Sequence, residues 1–218
     1  MRKMRQPQQS RRWSMGLFIL AIAGLLTACS SPGGEGCGGI EDVVSCISVA
    51  SIQPVDAEGG DSSDVDVTFT PDCDGDPTTN DPESFGRHDA RVTFTNSAFP
   101  NFPGDDEDEA NSLPVTIERV RITYQVNNCP PLAGCPPLPE INQAVSLTIP
   151  PDSAEVSGIF PLVPISTKDE FLALGGSANA FPSYTANYVF TARTQSFSDT
   201  FTVRGATNFV MGDFNVCQ

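Results

Sequence analysis

Between Pro71 and Glu83 the chain reads PDCDGDPTTNDPE. Asp72, Asp74 and Asp76 alternate, and Thr78, Asn80 and Glu83 follow as further oxygen donors. On a turning backbone, alternating carboxylates can converge on one hard cation, and calcium takes six to eight oxygens. Pro77 opposes this, because it stands where a tight calcium loop needs glycine and its ring fixes φ near −65°. The flanking segments also read as strands rather than the helices of a helix–loop–helix site. The expectation is therefore an acidic inter-strand loop that keeps its acids in water, with a calcium site as the alternative and no other cofactor indicated. Asp105 to Glu109 is an unbroken acidic block whose side chains diverge along the chain. The one histidine, His88, precedes Asp89 at a strand start and reads as a surface or turn residue. No G-x-S-x-G elbow occurs, and no glycine-rich phosphate loop precedes a helix. Dispersed carboxylates of a hydrolase would leave no spacing signal; the reading adopted is that the chain is not an enzyme.

Seven cysteines carry the remaining chemistry. Arg2, Lys3, Arg5, Arg11 and Arg12 form an acid-free basic stretch, followed by an almost wholly apolar run from Met15 to Ala28. That run is too short to span a bilayer, which takes about 20 residues, and it has the pattern of a secretory signal peptide. It ends Leu26-Thr27-Ala28-Cys29, which resembles the lipobox of bacterial lipoproteins. The resemblance implies cleavage after residue 28 and lipid attachment at Cys29, with several acyl chains giving stable anchoring at roughly 0.8 kcal/mol per buried CH₂. Ser30 follows the cysteine where inner-membrane lipoproteins of many Gram-negative bacteria carry Asp, so the resemblance favours the outer membrane. Ser10-Arg11-Arg12 looks like part of a twin-arginine signal, but Trp13 and Ser14 depart from it.

Cys37, Cys46, Cys73, Cys129, Cys135 and Cys217 remain after lipidation. An even number in an exported chain reads as disulfides. The preferred pairing is Cys37–Cys46, Cys129–Cys135 and Cys73–Cys217; two of these close short loops and the third pins the chain end. The absence of C-x-x-C excludes a thioredoxin-type redox site and a c-type haem site.

Acidic residues number 27 against 12 Lys and Arg, for a net charge of −15. Removing residues 1–28 takes away five basic and no acidic residues and leaves −20. Such a body has no basic footprint for nucleic acid, and anionic lipid headgroups repel it. The partners expected are the membrane, through lipidated Cys29, and an envelope protein or glycan.

These groups must be positioned by strands. Gly (18) and Pro (19) punctuate the sequence too often for long helices. Residues 29–46 hold the lipidated cysteine and a Gly/Ser-rich tether, whose stretch 30–39 reaches about 17 Å by coil scaling. Beyond it, period-two alternation marks strands. Val65, Val67 and Phe69 share one phase, with Asp66 and Thr68 facing water. Ala90, Val92 and Phe94 share another. In VTIERVRITYQV the inward phase shifts by one residue at Glu118-Arg119, which predicts a β-bulge. Val145, Leu147 and Ile149 alternate, as do Tyr184, Ala186, Tyr188 and Phe190, then Phe201 and Val203. Val156–Ile165 contains Pro161 and Pro164 and suits an edge strand. Only Lys168–Leu174 looks helical, ending at Gly175-Gly176. CPPLAGCPPLP is a proline-stiffened loop that could present Leu132 and Leu138 to a partner. Seven or eight short strands over residues 47–218 fit an all-β antiparallel sandwich. The pattern resembles the immunoglobulin-like modules of bacterial envelope proteins, without the Cys–Trp–Cys spacing of true immunoglobulin domains.

Overall fold

Period-two alternation becomes strand almost everywhere it occurs. The computed structural model describes residues 45–73, 76, 78, 82–98, 112–131, 134–194 and 200–214. They form β1 (Ser45–Val55), β2 (Asp64–Asp66), β3 (His88–Ala98), β4 (Val115–Asn128), β5 (Ile141–Ile149) and β6 (Val156–Val163). A helix, α1 (Ile165–Ala173), and a 3₁₀ turn (Ala178–Ala180) lead to β7 (Ser183–Thr194) and β8 (Thr200–Gly212). The leader, the tether and the acidic block Asp105–Glu109 lie outside the described residues. Among the described residues no helix is long and apolar enough to cross a membrane.

The strands make two sheets, ordered β1-β3-β6 and β2-β8-β7-β4-β5. Chain order maps β1, β3 and β6 onto strands A, B and E of an immunoglobulin domain, and β4, β5, β7 and β8 onto C, C′, F and G. The protein is an all-β, immunoglobulin-like sandwich. One pairing departs from the antiparallel expectation: β2 runs parallel to β8, with Val65 opposite Met211. The chain leaves the first sheet after β1, turns at Asp56–Gly60 and joins the second sheet. Asp56 Oδ1 shapes that turn by accepting the amides of Glu58 (3.0 Å) and Gly60 (2.7 Å).

The inward phases meet in one core. Phe94 and Phe160 of the small sheet meet Phe190 of the large one, all edge-on, with centroids 5.0–6.0 Å apart. Burying each ring contributes about 1.5–3 kcal/mol, and edge-to-face contact adds about 0.5–1.5 kcal/mol. The bulge in β4 lies where the phase shift places it. Ile117 pairs with Ala192 and Arg119 with Thr191, leaving Glu118 as the extra residue. Glu118 points outward and pairs with Arg193 at 2.7 Å.

A second bulge explains the tyrosines. Across β3–β6, His88 pairs with Val163 and Asp89 with Pro161, so Leu162 is extra. Pro161 has no amide to give the ladder. Two hydroxyls from the opposite sheet take carbonyls here: Tyr188 donates to Pro161 (2.9 Å) and Tyr124 to Leu162 (2.5 Å). Burial raises both phenol pKa values. Tyr184 donates to the Pro136 carbonyl (3.1 Å) and ties down the proline loop. In that loop Cys129 and Cys135 form a disulfide with Cα atoms 5.8 Å apart. Leu138 is in the core rather than offered to a partner, because the tyrosine and disulfide hold the loop against the large sheet.

The helix ends as its glycines dictate. Gly175 sits at φ +86°, its amide donates to Leu172, and the amide of Gly176 donates to Phe171. This is a Schellman cap, which favours glycine at the left-handed position.

Candidate functional site: a polar cleft at one end of the sandwich

The end of β2, the start of β3, the end of β8 and the inner face of α1 converge at one end of the sandwich. A cleft of about 330 Å³ opens there. Asp66, His88 and Lys168 line it from below, and Asp56, Glu58 and Asp64 are among the residues at its rim.

Each floor residue is buried for a local reason. His88 is on the same strand phase as Ala90, Val92 and Phe94, so alternation turns it inward; it is 5% exposed. Asp66 was expected to face water, but β2 is only three residues long and is covered beyond it. Asp66 is 2% exposed, and its Oδ1 accepts the amides of Thr68 (3.2 Å) and Phe214 (3.4 Å). Phe69, expected inward with Val65 and Val67, is 53% exposed because the strand has already ended. Lys168 shares the inner face of α1 with Thr167 and Phe171 and is 1% exposed. On this helix Ile165 and Leu172 point out, while Lys168 points in beside Phe171.

The Lys168 ammonium donates to the Gly86 carbonyl (2.5 Å) and lies 4.4 Å from the centre of the Phe85 ring. Burial lowers its pKa to about 8, against the opposing pull of Asp66 and Glu83. Neither carboxylate forms an ion pair with it among the described residues. Burial, followed by the charge of Lys168, lowers the His88 pKa to about 4, while the Asp64 backbone and Asp56 act the other way. The imidazole is therefore neutral at pH 7. Neither of its nitrogens makes a hydrogen bond of ordinary geometry, although the ring lies close enough to the Asp64 backbone to interact with it, and Asp66 Oδ2 and Glu83 Oε2 also lack partners among the described residues. Buried polar atoms are nearly always satisfied by protein or ordered water. Here those of Asp66 and His88 belong to residues that line the cleft but are themselves closed off from it. The floor thus holds an ammonium, a carboxylate and a neutral imidazole, and the rim adds three further acids.

Of the alternative calcium constellation, the described residues include Asp72, Asp76, Thr78 and Glu83. Glu83 is turned into the protein, where its Oε1 accepts the Thr70 amide below the cleft. Asp76 is exposed, and its Oδ1 accepts the amide (2.9 Å) and hydroxyl (2.7 Å) of Thr78, which hold its carboxyl below the usual pKa. Asp72 is half-buried, and Asp74 and Asn80 lie outside the described residues. Among the described residues no group of His, Cys, Asp or Glu is arranged to hold a metal. Cys46 and Cys73 are each in a disulfide. Cys29, Cys37 and Cys217 lie outside the described residues, and with them the pairings Cys37–Cys46 and Cys73–Cys217.

Reading the sequence for chemistry missed Asp66 and Lys168 and misplaced His88. Only His88 carried a usable signal, its phase with Ala90 and Val92. No protein-family model matches the chain, and no curated protein matches it. Among solved structures, a crystal structure of a protein from Archaeoglobus fulgidus aligns over 75% of this chain and 97% of its own, at 10% identity and a TM-score of 0.33. Likeness at that level carries no argument about fold or activity.

Proposed function

We propose that the protein is an exported, lipid-anchored and non-catalytic binding module of the bacterial cell envelope, and that the cleft is its binding element. The observation that carries the binding role is the cleft of about 330 Å³ at the end of the sandwich, whose lining includes the buried polar residues Asp66, His88 and Lys168. Leu26-Thr27-Ala28-Cys29 supports the anchor, Ser30 favours the outer membrane, and disulfides in the body agree with an oxidising compartment. A binding role fits better than a reactive one. The Lys168 amine, the group that burial brings nearest to nucleophilicity, is occupied by Gly86 and Phe85, and no base hydrogen-bonds to it among the described residues.

Two measurements test the two parts. Cys29→Ala is expected to move the protein from the membrane to the soluble fraction and to abolish palmitate labelling. Unchanged labelling overturns the anchor. In a thermal-shift panel of small polar molecules, at least one is expected to raise the melting temperature of the wild type and not of His88→Leu. No response to any molecule overturns the binding role.

A further inference from the structure

Beyond residue 28 lysine and arginine are few, and the fold sorts them. Arg87 pairs with Asp89 and Arg91 with Asp61, and Lys168 is buried. The others, Arg119, Arg121, Arg193 and Arg204, are all exposed on one surface, the outer face of the five-stranded sheet. Alternation puts them there. Past the bulge in β4, Val120 and Ile122 turn inward and Arg119 and Arg121 outward. In β7 and β8, Arg193 and Arg204 take the phase opposite to Ala192 and Val203. Arg193 is held by Glu118, the one acidic residue in β4, β5, β7 and β8. Arg119, Arg121 and Arg204 form no ion pair among the described residues.

Strand register sets the spacing of these three. Arg121 and Arg204 flank the same residue, Val189, from either side, which puts them two strand spacings apart, about 10 Å. Arg119 precedes Arg121 by two residues, about 7 Å along β4. The Arg119 guanidinium donates to Asn142 Oδ1 of the edge strand at 3.3 Å, which steadies it. A strongly acidic body thus keeps one acid-poor sheet face with three guanidinium groups that repel one another. An extended anion with several charges relieves that repulsion.

We propose that this face binds an acidic polysaccharide, a chain of sugars bearing carboxylates. Guanidinium groups donate to carboxylates in bidentate pairs. Thr123, Asn187, Thr191 and Thr202 stand beside the arginines on the same face, and their hydroxyls and amide exchange hydrogen bonds with sugar hydroxyls. The aromatic residues of these strands lie on the inward phase, so the face has no ring on which to stack a base. Its centre offers little apolar surface beyond Val189, unlike the apolar core of a protein–protein interface. None of these residues lines the cleft, so the inference goes beyond the binding role proposed above.

Titration calorimetry on the full-length protein purified in detergent is the test, with an oligogalacturonate, a maltodextrin of equal length and a polyphosphate of equal charge as probes. The oligogalacturonate is expected to bind with a dissociation constant of about 0.1 mM or below. Raising the salt from about 50 to about 200 mM is expected to weaken it about tenfold. The neutral maltodextrin is expected not to bind. Polyphosphate, which has the charge of a lipid surface or nucleic acid without the sugar hydroxyls, is expected to bind at least about fivefold more weakly. Arg121→Gln combined with Arg204→Gln changes only exposed side chains and is expected to weaken the oligogalacturonate about tenfold or more at unchanged melting temperature. No binding of the oligogalacturonate, or a double variant that binds it as the wild type does, overturns the proposal. Equal or tighter binding of polyphosphate, or equal binding of maltodextrin, overturns the ligand class. The thermal-shift response to small molecules is read separately, so either site can fail without the other.

Discussion

Phe94, Phe160 and Phe190 in the middle of the sandwich and Asp66, Glu83, His88 and Lys168 at its end are all 5% exposed or less. In the middle, the rings interlock edge to face across the two sheets, and burial turns directly into stability. At the end, equal burial costs free energy. Imidazole, carboxylate and ammonium leave water and recover only part of their hydrogen bonds. The two regions sit on shared strands, since β3 carries both His88 and Phe94. One sheet can therefore stabilise the body at its centre and hold an uncompensated polar site at its edge. Functional sites commonly persist on such terms, supported by the fold around them.

The largest expected effect breaks the stable half of this comparison. Phe190→Ala removes the ring that touches both Phe94 and Phe160 and should cost about 3–5 kcal/mol, read as a shifted urea midpoint at unchanged slope. A loss below about 1 kcal/mol would mean that the centre does not carry the body.

The next sharpens the polar half. Folded His88 stays neutral down to about pH 4, whereas an unfolded imidazole takes its proton near 6.5. Between those values the unfolded state binds more protons, so stability rises with pH across the window and is lost as pH falls through it. The expected loss is on the order of 2–3 kcal/mol. The acidic residues add their own dependence, so the measurement is the difference between wild type and His88→Leu in denaturant melts at pH 7 and 4.5. Parallel losses in the two proteins would show that His88 is not buried as a neutral group.

The smallest effect probes the join between the regions. Tyr124→Phe leaves the Leu162 carbonyl of the β6 bulge without its hydroxyl partner and should cost about 1 kcal/mol. Val163 beside the bulge pairs with His88, and the loss is read in the same denaturant melts.

The centre was legible in the sequence and the end largely was not, for one physical reason. Alternation reports burial only where a strand is long enough to show a phase. β3, β4 and β7 are, and even the extra residue at Glu118 could be read from the shift between Ile117 and Val120. Asp66 sits in a three-residue strand whose burial comes from a parallel neighbour far along the chain, so Asp-Val-Asp looked like ordinary alternation with acids outward. Lys168 was hidden more completely. Its short helix buries Phe171 but turns Ile165 and Leu172 to solvent, so no clean apolar face marks the lysine as inward. His88 was readable by phase but was set aside because an isolated histidine beside an acid is usually at the surface.

The parallel pairing of β2 with β8 also has a mechanical consequence. A force that separates the two ends of the body pulls the short early strand and the last long strand in opposite directions along their shared axis. Parallel alignment loads the bonds between them, including Val67 amide to Gly212 carbonyl and Val210 amide to Ser63 carbonyl, together in shear rather than one by one. The same strand that lowers Asp66 into the cleft acts as a clamp, so tension strong enough to slide β2 would open the cleft before it reached the aromatic centre.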